Sequence, residues 1–326
     1  MLDYNSLILN SKAFKIVELD AKSSRISHAY MFVSQDENYL KSFCERVCKH
    51  ILNLNETENI EKNELRIDRR VHPDVKFFGE ESNITADLTA EIVELSGMSP
   101  FEADKKIFVL FNVHNMNESA QNKILKTIEE PPRDTYFILA CKNTTRILQT
   151  IISRVKQIEL DELSVEDIKG LLVSAGTPSD KAEIYASCSS GNGTFAEKLA
   201  TDDGFVEFFN RVVGAFFEIN GSRDVLKFSN EFTAKTVDKN EFFDIAMVVV
   251  RDIMMILSKK EEFVVSKNML PKLKVISSML NLDAVGVLID SCVSSKKKLL
   301  YNVNATAVVD DFLFKIAEVK VKCRRL

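Results

Sequence analysis

The chain has 326 residues, of which 45% are hydrophobic, and its formal net charge is −5 at pH 7. This length and apolar content predict two or three domains with sizeable cores, and the negative charge argues against a protein that holds nucleic acid through its overall charge. The six cysteines lack the dense spacing of a secreted disulfide framework, so we expect reduced thiols and a cytoplasmic location. The sequence shows neither a signal peptide nor a run of about 18 apolar residues, so no membrane span is predicted.

The first predicted strand is the apolar run 28–34, and the loop that follows it is unusual for a nucleotide-binding protein. In such α/β proteins this loop reads G-x-x-x-x-G-K-[ST], because glycines let backbone amides close around phosphate. Lys41 and Ser42 occupy the last two places of the pattern, but Gln35 and Leu40 stand at its two glycine places. We therefore expect a degenerate phosphate loop that binds no nucleotide, with Lys41 a solvated helix residue.

Residues 105–160 predict a strand, a helix and a second strand. The apolar run 107–111 has strand length, Asn117 offers an N-cap for the helix, and Pro131 ends it. The apolar run 136–141 supplies the second strand. Strands without polar alternation are typical of parallel sheets covered on both faces, so this region indicates an α/β layer structure.

The same stretch carries a long motif at fixed spacing. The pattern A-x-N-x-L-L-K-x-L-E-E-P-P, a strand, and L-x-x-T-I-x-S-R-C resembles the core of the AAA+ module of bacterial clamp-loader subunits. The matching residues are Ala120, Asn122, Leu125, Lys126, Glu129, Glu130, Pro131, Pro132, Leu148, Thr150, Ile151, Ser153 and Arg154. Val155 stands where the family has a cysteine, a departure that concerns only packing.

The resemblance implies a catalytic centre whose parts are missing from this chain. The strand ending near Phe111 normally leads into an acidic pair that orders Mg²⁺ and water, but residues 111–114 contain no carboxylate. Thr194 and Phe195 stand where nucleotide-binding members have an arginine after a glycine. Phosphoryl transfer depends on positioning and charge neutralisation, so we expect no ATP hydrolysis and no bound cofactor. His114 is predicted to be a turn histidine, with a general base as the alternative.

Arg154 is the residue to which the resemblance assigns a catalytic role. In this family the arginine after the serine points out of its own subunit into the nucleotide site of a neighbour. The resemblance therefore implies that Ser153 and Arg154 lie at an interface and that Arg154 acts in trans. A guanidinium is always charged and forks onto phosphate oxygens. The alternative is an arginine that merely pairs with a local carboxylate such as Glu159.

The family also makes a metal worth considering, because several relatives carry a four-cysteine zinc site in this part of the module. Cys44 and Cys48 lie four residues apart on a predicted helix, and His50 and His72 are the other candidate ligands. Structural zinc ligands normally come as two tight pairs, so this set is a weak signal. We predict no metal, with buried thiols and a hydrogen-bonded histidine instead.

Beyond Leu160 the pattern changes from alternating strands and helices to helical spacing alone, so the expected fold class is α/β plus all-α. We predict an α/β module over 1–160, a small helical unit over 161–202 and an all-α domain over 203–326. The resemblance implies that these are an AAA+ module, its lid and the collar through which clamp-loader subunits oligomerise. The helices predicted in the last region are at about 203–219, 222–234, 238–259, 268–298 with a break near Asn281, and 304–321.

The leading hypothesis from the sequence is a non-catalytic subunit of the clamp loader of DNA polymerase III. Its implied partners are ATPase subunits in a hetero-oligomeric ring, with the sliding clamp and primed DNA reached through the complex. One alternative is a catalytically active ATPase clamp-loader subunit. Another is a stand-alone interaction or nucleic-acid adaptor derived from an AAA+ module.

Overall fold

A computed structural model describes residues 2–23, 25–301 and 303–324. The chain forms two compact units, and both consist of two segments. The first unit comprises residues 1–175 and 191–195, and the second comprises residues 176–190 and 196–326. Each unit is described separately below.

The first unit is built on a five-stranded sheet in the order β2-β3-β4-β1-β5. The strands are β1 (Ala29–Val33), β2 (Val75–Phe78), β3 (Lys106–Leu110), β4 (Thr135–Cys141) and β5 (Lys156–Glu159). All four neighbouring pairs are parallel. Strands β1, β3 and β4 are buried over nearly their whole length, which confirms the expected parallel sheet with apolar strands.

The described residues of the first unit form eight α-helices besides this sheet. They are α1 (Asn5–Asn10), α2 (Lys12–Lys22), α3 (Glu37–Leu52), α4 (Ile60–Asp68), α5 (Ala86–Ser96), α6 (Glu118–Glu129), α7 (Gln149–Ile152) and α8 (Val165–Ser174). The predicted cap at Asn117 is confirmed, since its side chain accepts a hydrogen bond from the amide of Ala120 at 2.8 Å. Helix α6 packs over alternate strand residues in one apolar cluster that includes Met31, Phe108 and Phe137.

The second unit is helical throughout its described residues. Helix α9 is Ser179–Cys188, and α10 (Gly193–Thr201) begins in the first unit and continues into the second. The remaining helices are α11 (Asp203–Glu218), α12 (Ser222–Phe232), α13 (Lys239–Leu257), α14 (Leu270–Ser277), α15 (Leu282–Leu300) and α16 (Ala305–Arg324). The expected break near Asn281 is confirmed, because Asn281 caps α15 through a 2.9 Å hydrogen bond from the amide of Ala284.

Phenylalanines form the centre of the second unit. The ring of Phe242 lies 4.9 Å from that of Phe232 and 6.0 Å from that of Phe312, measured between centroids. Phe216 and Phe243 also contact Phe312, so α11, α13 and α16 share one aromatic core.

The boundaries between the two compact units differ from those of the three ranges expected from the sequence. Helix α8 belongs to the first unit, whereas residues 176–190 belong to the second. The division into 1–160, 161–202 and 203–326 stays a prediction about functional parts. No single described helix is long and apolar enough to cross a membrane; α14 and α15 meet that test only together, and they are bent by 111° at their break.

Candidate functional site

The connection between β1 and α3 is short and contains no glycine. Strand β1 ends at Val33 and α3 begins at Glu37, with the carboxylate of Asp36 capping the helix through a 3.1 Å hydrogen bond from the amide of Tyr39. Leu40 therefore lies within the first turns of α3 and is buried in the core. Residues 37–42 of the phosphate-loop pattern are instead part of a regular helix that Asp36 caps.

Asp36 also accepts hydrogen bonds from the first residues of α10. Its Oδ2 accepts from the amide of Gly193 at 2.6 Å, and its Oδ1 accepts from the hydroxyl of Thr194 at 2.6 Å. The side chain is only 4% exposed, and this burial raises the pKa of Asp36 although its hydrogen bonds oppose the shift. A carboxylate of the chain itself thus occupies the N-termini of two helices, which is where other proteins bind phosphate.

Lys41 does not extend freely into solvent. Its Nζ lies 2.7 Å from Oε1 of Glu80, in the segment after β2. Glu80 also accepts from Nε and Nη2 of Arg70 at 3.0 and 2.8 Å, and Arg70 pairs further with Glu45. Burial raises the pKa of Glu80, but its contacts with Arg70 and Lys41 lower it overall. The expectation of a solvated lysine is therefore corrected: Lys41 belongs to an ion-pair network.

Gln35 and Ser42, the other two residues predicted for this loop, do not form a phosphate-binding site. Gln35 is exposed and donates from Nε2 to the carbonyl of Lys142 at 2.8 Å. Ser42 is half-buried in α3 and lines an open hollow of about 280 Å³ together with Glu45 and Lys49.

The end of β3 forms a tight turn. Asn112 adopts a left-handed conformation with φ 55° and donates from Nδ2 to the carbonyl of Gly79 at 3.0 Å. His114 lies in the turn that follows, where its Nδ1 accepts from the amide of Lys142 at 3.4 Å. Burial, with the nearby charges of Lys142 and Arg146, lowers the pKa of His114 to about 4. Such an imidazole is neutral at pH 7 and is a weak base.

Three of the candidate metal ligands, Cys44, Cys48 and His72, are buried, and His50 is half-buried. Cys44 and Cys48 are fully buried, and burial raises the pKa of both thiols. Nδ1 of His72 accepts from the amide of Asp74 at 3.2 Å, so the neutral ring carries its proton on Nε2 and has no free lone pair for a metal. The ring of His50 packs against Phe14. Within the described residues, no three His, Cys, Asp or Glu side chains are grouped to hold a metal ion.

Arg154 follows α7 and its side chain is 36% exposed. Its Nη1 donates to the carbonyl of Thr150 at 2.9 Å and to Oγ of Ser153 at 3.1 Å. Its Nη2 forms an ion pair with Glu129, the last residue of α6. The local carboxylate that pairs with Arg154 is therefore Glu129 and not the Glu159 considered from the sequence.

Gln121 is a further residue of this region that sequence reasoning missed. It is 2% exposed, and its Nε2 donates to the carbonyls of Met116 at 3.0 Å and Arg146 at 2.8 Å. Its Oε1 accepts from the amide of Leu148 at 2.8 Å. Gln121 thus ties α6 to the segment that leads into α7 and Arg154. The available signal was a polar residue beside Ala120 on the buried face of a helix.

Comparison with known proteins identifies relatives over most of the chain. A family model described as DNA polymerase III, delta subunit, matches residues 9–164. The chain is 22% identical over 319 residues to the delta' subunit of DNA polymerase III of Bacillus subtilis, covering 95% of this chain and 97% of that protein. It is 32% identical over 113 residues to the gamma subunit of Buchnera aphidicola subsp. Schizaphis graminum, covering 33% of this chain and 31% of that protein.

Two solved structures are similar at lower identity. A gamma subunit-related protein of Thermotoga maritima is 16% identical with a TM-score of 0.44, covering 93% of this chain and 99% of the other. The clamp loader delta protein of Bacillus subtilis is 12% identical with a TM-score of 0.36, covering 94% and 99%.

Residues 9–164, which match the family model of the DNA polymerase III delta subunit, contain the whole parallel sheet and the motif around Arg154, and this segment resembles an AAA+ module of the clamp-loader type. Over 95% of its length the chain is similar to one particular clamp-loader subunit, delta' of DNA polymerase III.

Proposed function

We propose that this chain is a delta'-type subunit of the clamp loader that does not itself hydrolyse ATP. The observation that carries the proposal is the closed loop after β1, where the carboxylate of Asp36 bonds to the amide of Gly193 and the hydroxyl of Thr194. A nucleotide phosphate at this place would meet a buried negative charge where a nucleotide-binding protein offers free amides.

The side chains around this loop also oppose the alternative of an active ATPase subunit. Leu40 is buried in the core, so the loop cannot open around a phosphate without exposing it. Lys41 would have to leave Glu80, 2.7 Å away, to reach a γ-phosphate. With no carboxylate at 111–114, nothing at the end of β3 orders Mg²⁺.

Arg154 is the residue through which we propose that this chain contributes to ATP hydrolysis in the complex. Its guanidinium is partly exposed and lies beside Ser153, and an always-charged fork is suited to the charge that develops on a transferred phosphoryl group. We propose that Ser153 and Arg154 face a neighbouring ATPase subunit and that Arg154 serves the nucleotide bound there.

The proposed setting is the cytoplasmic DNA polymerase III holoenzyme. The partners are the ATPase subunits and the delta subunit in a hetero-oligomeric ring, which together load the sliding clamp onto primed DNA. The chain would support that work without a bound cofactor of its own. Recovery of DNA polymerase III subunits with the tagged chain from cell extract is expected, whereas the chain alone would favour the stand-alone adaptor.

Calorimetry with Mg·ATP tests the absence of a nucleotide site. We expect no saturable heat from the isolated full-length chain, and Lys41→Ala should give the same flat titration. A micromolar isotherm that disappears in Lys41→Ala would contradict the proposal and favour the active ATPase.

Reconstitution of the whole complex tests the role in trans. Arg154→Ala should leave assembly intact and slow hydrolysis at one adjacent site by up to about 10³-fold, the scale of other arginine fingers. Arg133→Ala is the matched control, because the Arg133 side chain is 96% exposed and its ion pair among the described residues is with Asp134, next to it in the chain. Clamp-stimulated, DNA-dependent ATP hydrolysis is measured, and equal rates for Arg154→Ala and the unmutated complex would remove this role.

A further inference from the structure

The guanidinium of Arg154 is held by acceptors from its own chain on one side. An arginine has five N–H donors. Two from Nη1 go to the carbonyl of Thr150 and the hydroxyl of Ser153, and one from Nη2 goes to Glu129. Among the described residues no acceptor meets the remaining donors, which are Nε–H and one Nη2–H. These neighbouring donors are suited to the two oxygens of a phosphate.

Glu129 differs from the other two acceptors because it is charged and comes from a different helix. Thr150 and Ser153 belong to the same short segment as Arg154 and would move with it. Glu129 ends α6, and the carbonyl of the preceding Ile128 is held at 2.8 Å by Nε2 of His28. The ion pair therefore fixes the guanidinium relative to α6 and the sheet, and not only relative to the turn that contains Arg154.

The position of Glu129 is unfavourable unless it is paired. A carboxylate in the last turn of a helix faces the negative end of the helix dipole. Pairing with Arg154 offsets that repulsion and limits the rotamers of a long side chain that is otherwise partly solvated. Glu130 is the next residue, is also exposed, and makes no ion pair among the described residues.

We propose that Glu129 is a positioning residue that orients Arg154, so that the Nε and Nη2 donors face outward to a neighbour's nucleotide. This inference rests on the proposed role of Arg154 in trans. Glu129 itself touches no substrate. Its loss should lower the rate of phosphoryl transfer more than the affinity for ATP, because an orienting contact acts on the transition state.

The test compares Glu129→Ala, Glu129→Gln and the control Glu130→Ala in the reconstituted complex, each alone and combined with Arg154→Ala. We expect Glu129→Ala to lower kcat at the affected site about tenfold with little change in KM, a barrier change typical of one charge-assisted contact. Glu129→Gln should recover part of the loss because its amide oxygen can still accept. Glu130→Ala should match the unmutated complex. In the Arg154→Ala background, Glu129→Ala should have no further effect.

A second measurement tests, in the isolated full-length chain, how firmly the Arg154 side chain is held. Nitrogen-15 relaxation of the Arg154 side-chain Nε should show greater mobility in Glu129→Ala and no change in Glu130→Ala. The inference is overturned if the Glu129→Ala complex hydrolyses ATP as fast as the unmutated complex or faster. It is also overturned if Glu129→Ala lowers kcat further when Arg154 is already alanine. If Arg154→Ala alone changes nothing, the proposed function fails and the inference fails with it; if only Glu129→Ala changes nothing, the function stands without this positioning residue.

Discussion

Asp36 is the residue on which the proposed absence of a nucleotide site depends most. Its carboxylate caps α3 and bonds to Gly193 and Thr194, and it does so at 4% exposure. We predict that Asp36→Asn destabilises the chain by about 1–3 kcal/mol, because the amide NH₂ would face donors and leave them unsatisfied. Denaturant unfolding of the full chain measures this, with the fully exposed Asp87→Asn as the matched control. Equal midpoints for Asp36→Asn and the unmutated chain would contradict it.

Gly193 gives a second test of the same contact. A β-carbon at this position would lie 2.6 Å from the hydroxyl of Tyr4 and 3.1 Å from Oδ2 of Asp36. Gly193→Ala should therefore push the start of α10 away from Asp36 and cost about 1–3 kcal/mol, the usual range for overpacking. Gly170→Ala is the control, because a β-carbon there meets no atom within 4 Å. Comparable losses for both variants in urea unfolding would exclude a specific clash at Gly193.

His114 makes stability depend on pH. Burial, Lys142 and Arg146 lower its pKa to about 4 from 6.5, so between these values the unfolded chain binds a proton that the folded chain does not. Stability should fall as pH decreases from 6.5 to 4, by up to about 3 kcal/mol from this residue. Urea midpoints at pH 7.5 and 5 should differ less for His114→Gln than for the unmutated chain. The lowered pKa values of His50 and His72 act in the same direction and remain in the variant.

At the level of elements, the C-terminus of α11 is closed by a buried lysine of α16. Nζ of Lys320 donates to the carbonyls of Phe217 and Ile219 at 3.1 and 2.9 Å. Lys320→Met should cost about 1–3 kcal/mol by leaving these carbonyls without a donor, whereas Lys322→Met should cost little because Lys322 is 69% exposed. Thermal unfolding of both variants measures the difference, and equal shifts would show that this cap contributes nothing specific.

The same lysine predicts an alkaline effect. Burial, together with Arg324, lowers the pKa of Lys320 to about 8 from 10.5. Between these values the unfolded chain binds more protons, so this residue should make the protein more stable as pH rises through that window. Urea midpoints at pH 8 and 10 should show this gain in the unmutated chain and lose it in Lys320→Met.

Elements with strong local signals could be predicted from the sequence, and those held by distant contacts could not. Asn117 and the apolar strands β3 and β4 are visible because capping and burial leave a local pattern. Helix α4 has no apolar face that a sequence pattern could indicate, since Ile67 is its one buried residue; ion pairs of Lys49 with Asp68 and of Arg46 with Glu64 hold it. Strand β5 has one buried residue in four and no apolar run. Ser11 ends α1 and caps α2.

The site was predictable only where a motif spans consecutive residues. The missing glycines at Gln35 and Leu40 are visible in the sequence, but the partners of Asp36 lie more than 150 residues further along the chain. The pairing of Arg154 with Glu129 has the same character, because neither residue indicates locally which carboxylate will be nearest. Only folding brings α6 and α7 together.

At the scale of the whole molecule, we assign a different part of the proposed function to each of the two units. The first unit carries a closed loop and an exposed arginine, and we propose that it contributes to the chemistry of a neighbour. The second unit contains no strand in its described residues and has a dense aromatic core. An all-helical unit with apolar side chains on its outside is suited to permanent association.

The exposed face of α15 is where we expect that association to be measurable. Val287, Val293 and Tyr301, on α15 and directly after it, are 44%, 56% and 62% exposed. Val293→Glu in the full-length chain should leave its folding intact, because the side chain already faces solvent. It should weaken assembly with the partner clamp-loader subunits about tenfold or more, since a carboxylate buried in an apolar interface loses its water.

Leu19→Glu is the matched control, because Leu19 is 63% exposed on α2 of the first unit. Affinity is measured by titrating the labelled full-length chain into the remaining subunits, with circular dichroism showing that both variants are folded. We expect the Leu19→Glu chain to bind like the unmutated chain and the Val293→Glu chain to bind more weakly. If Leu19→Glu weakens binding and Val293→Glu does not, assembly depends on the sheet module, and residues 203–326 are not the collar.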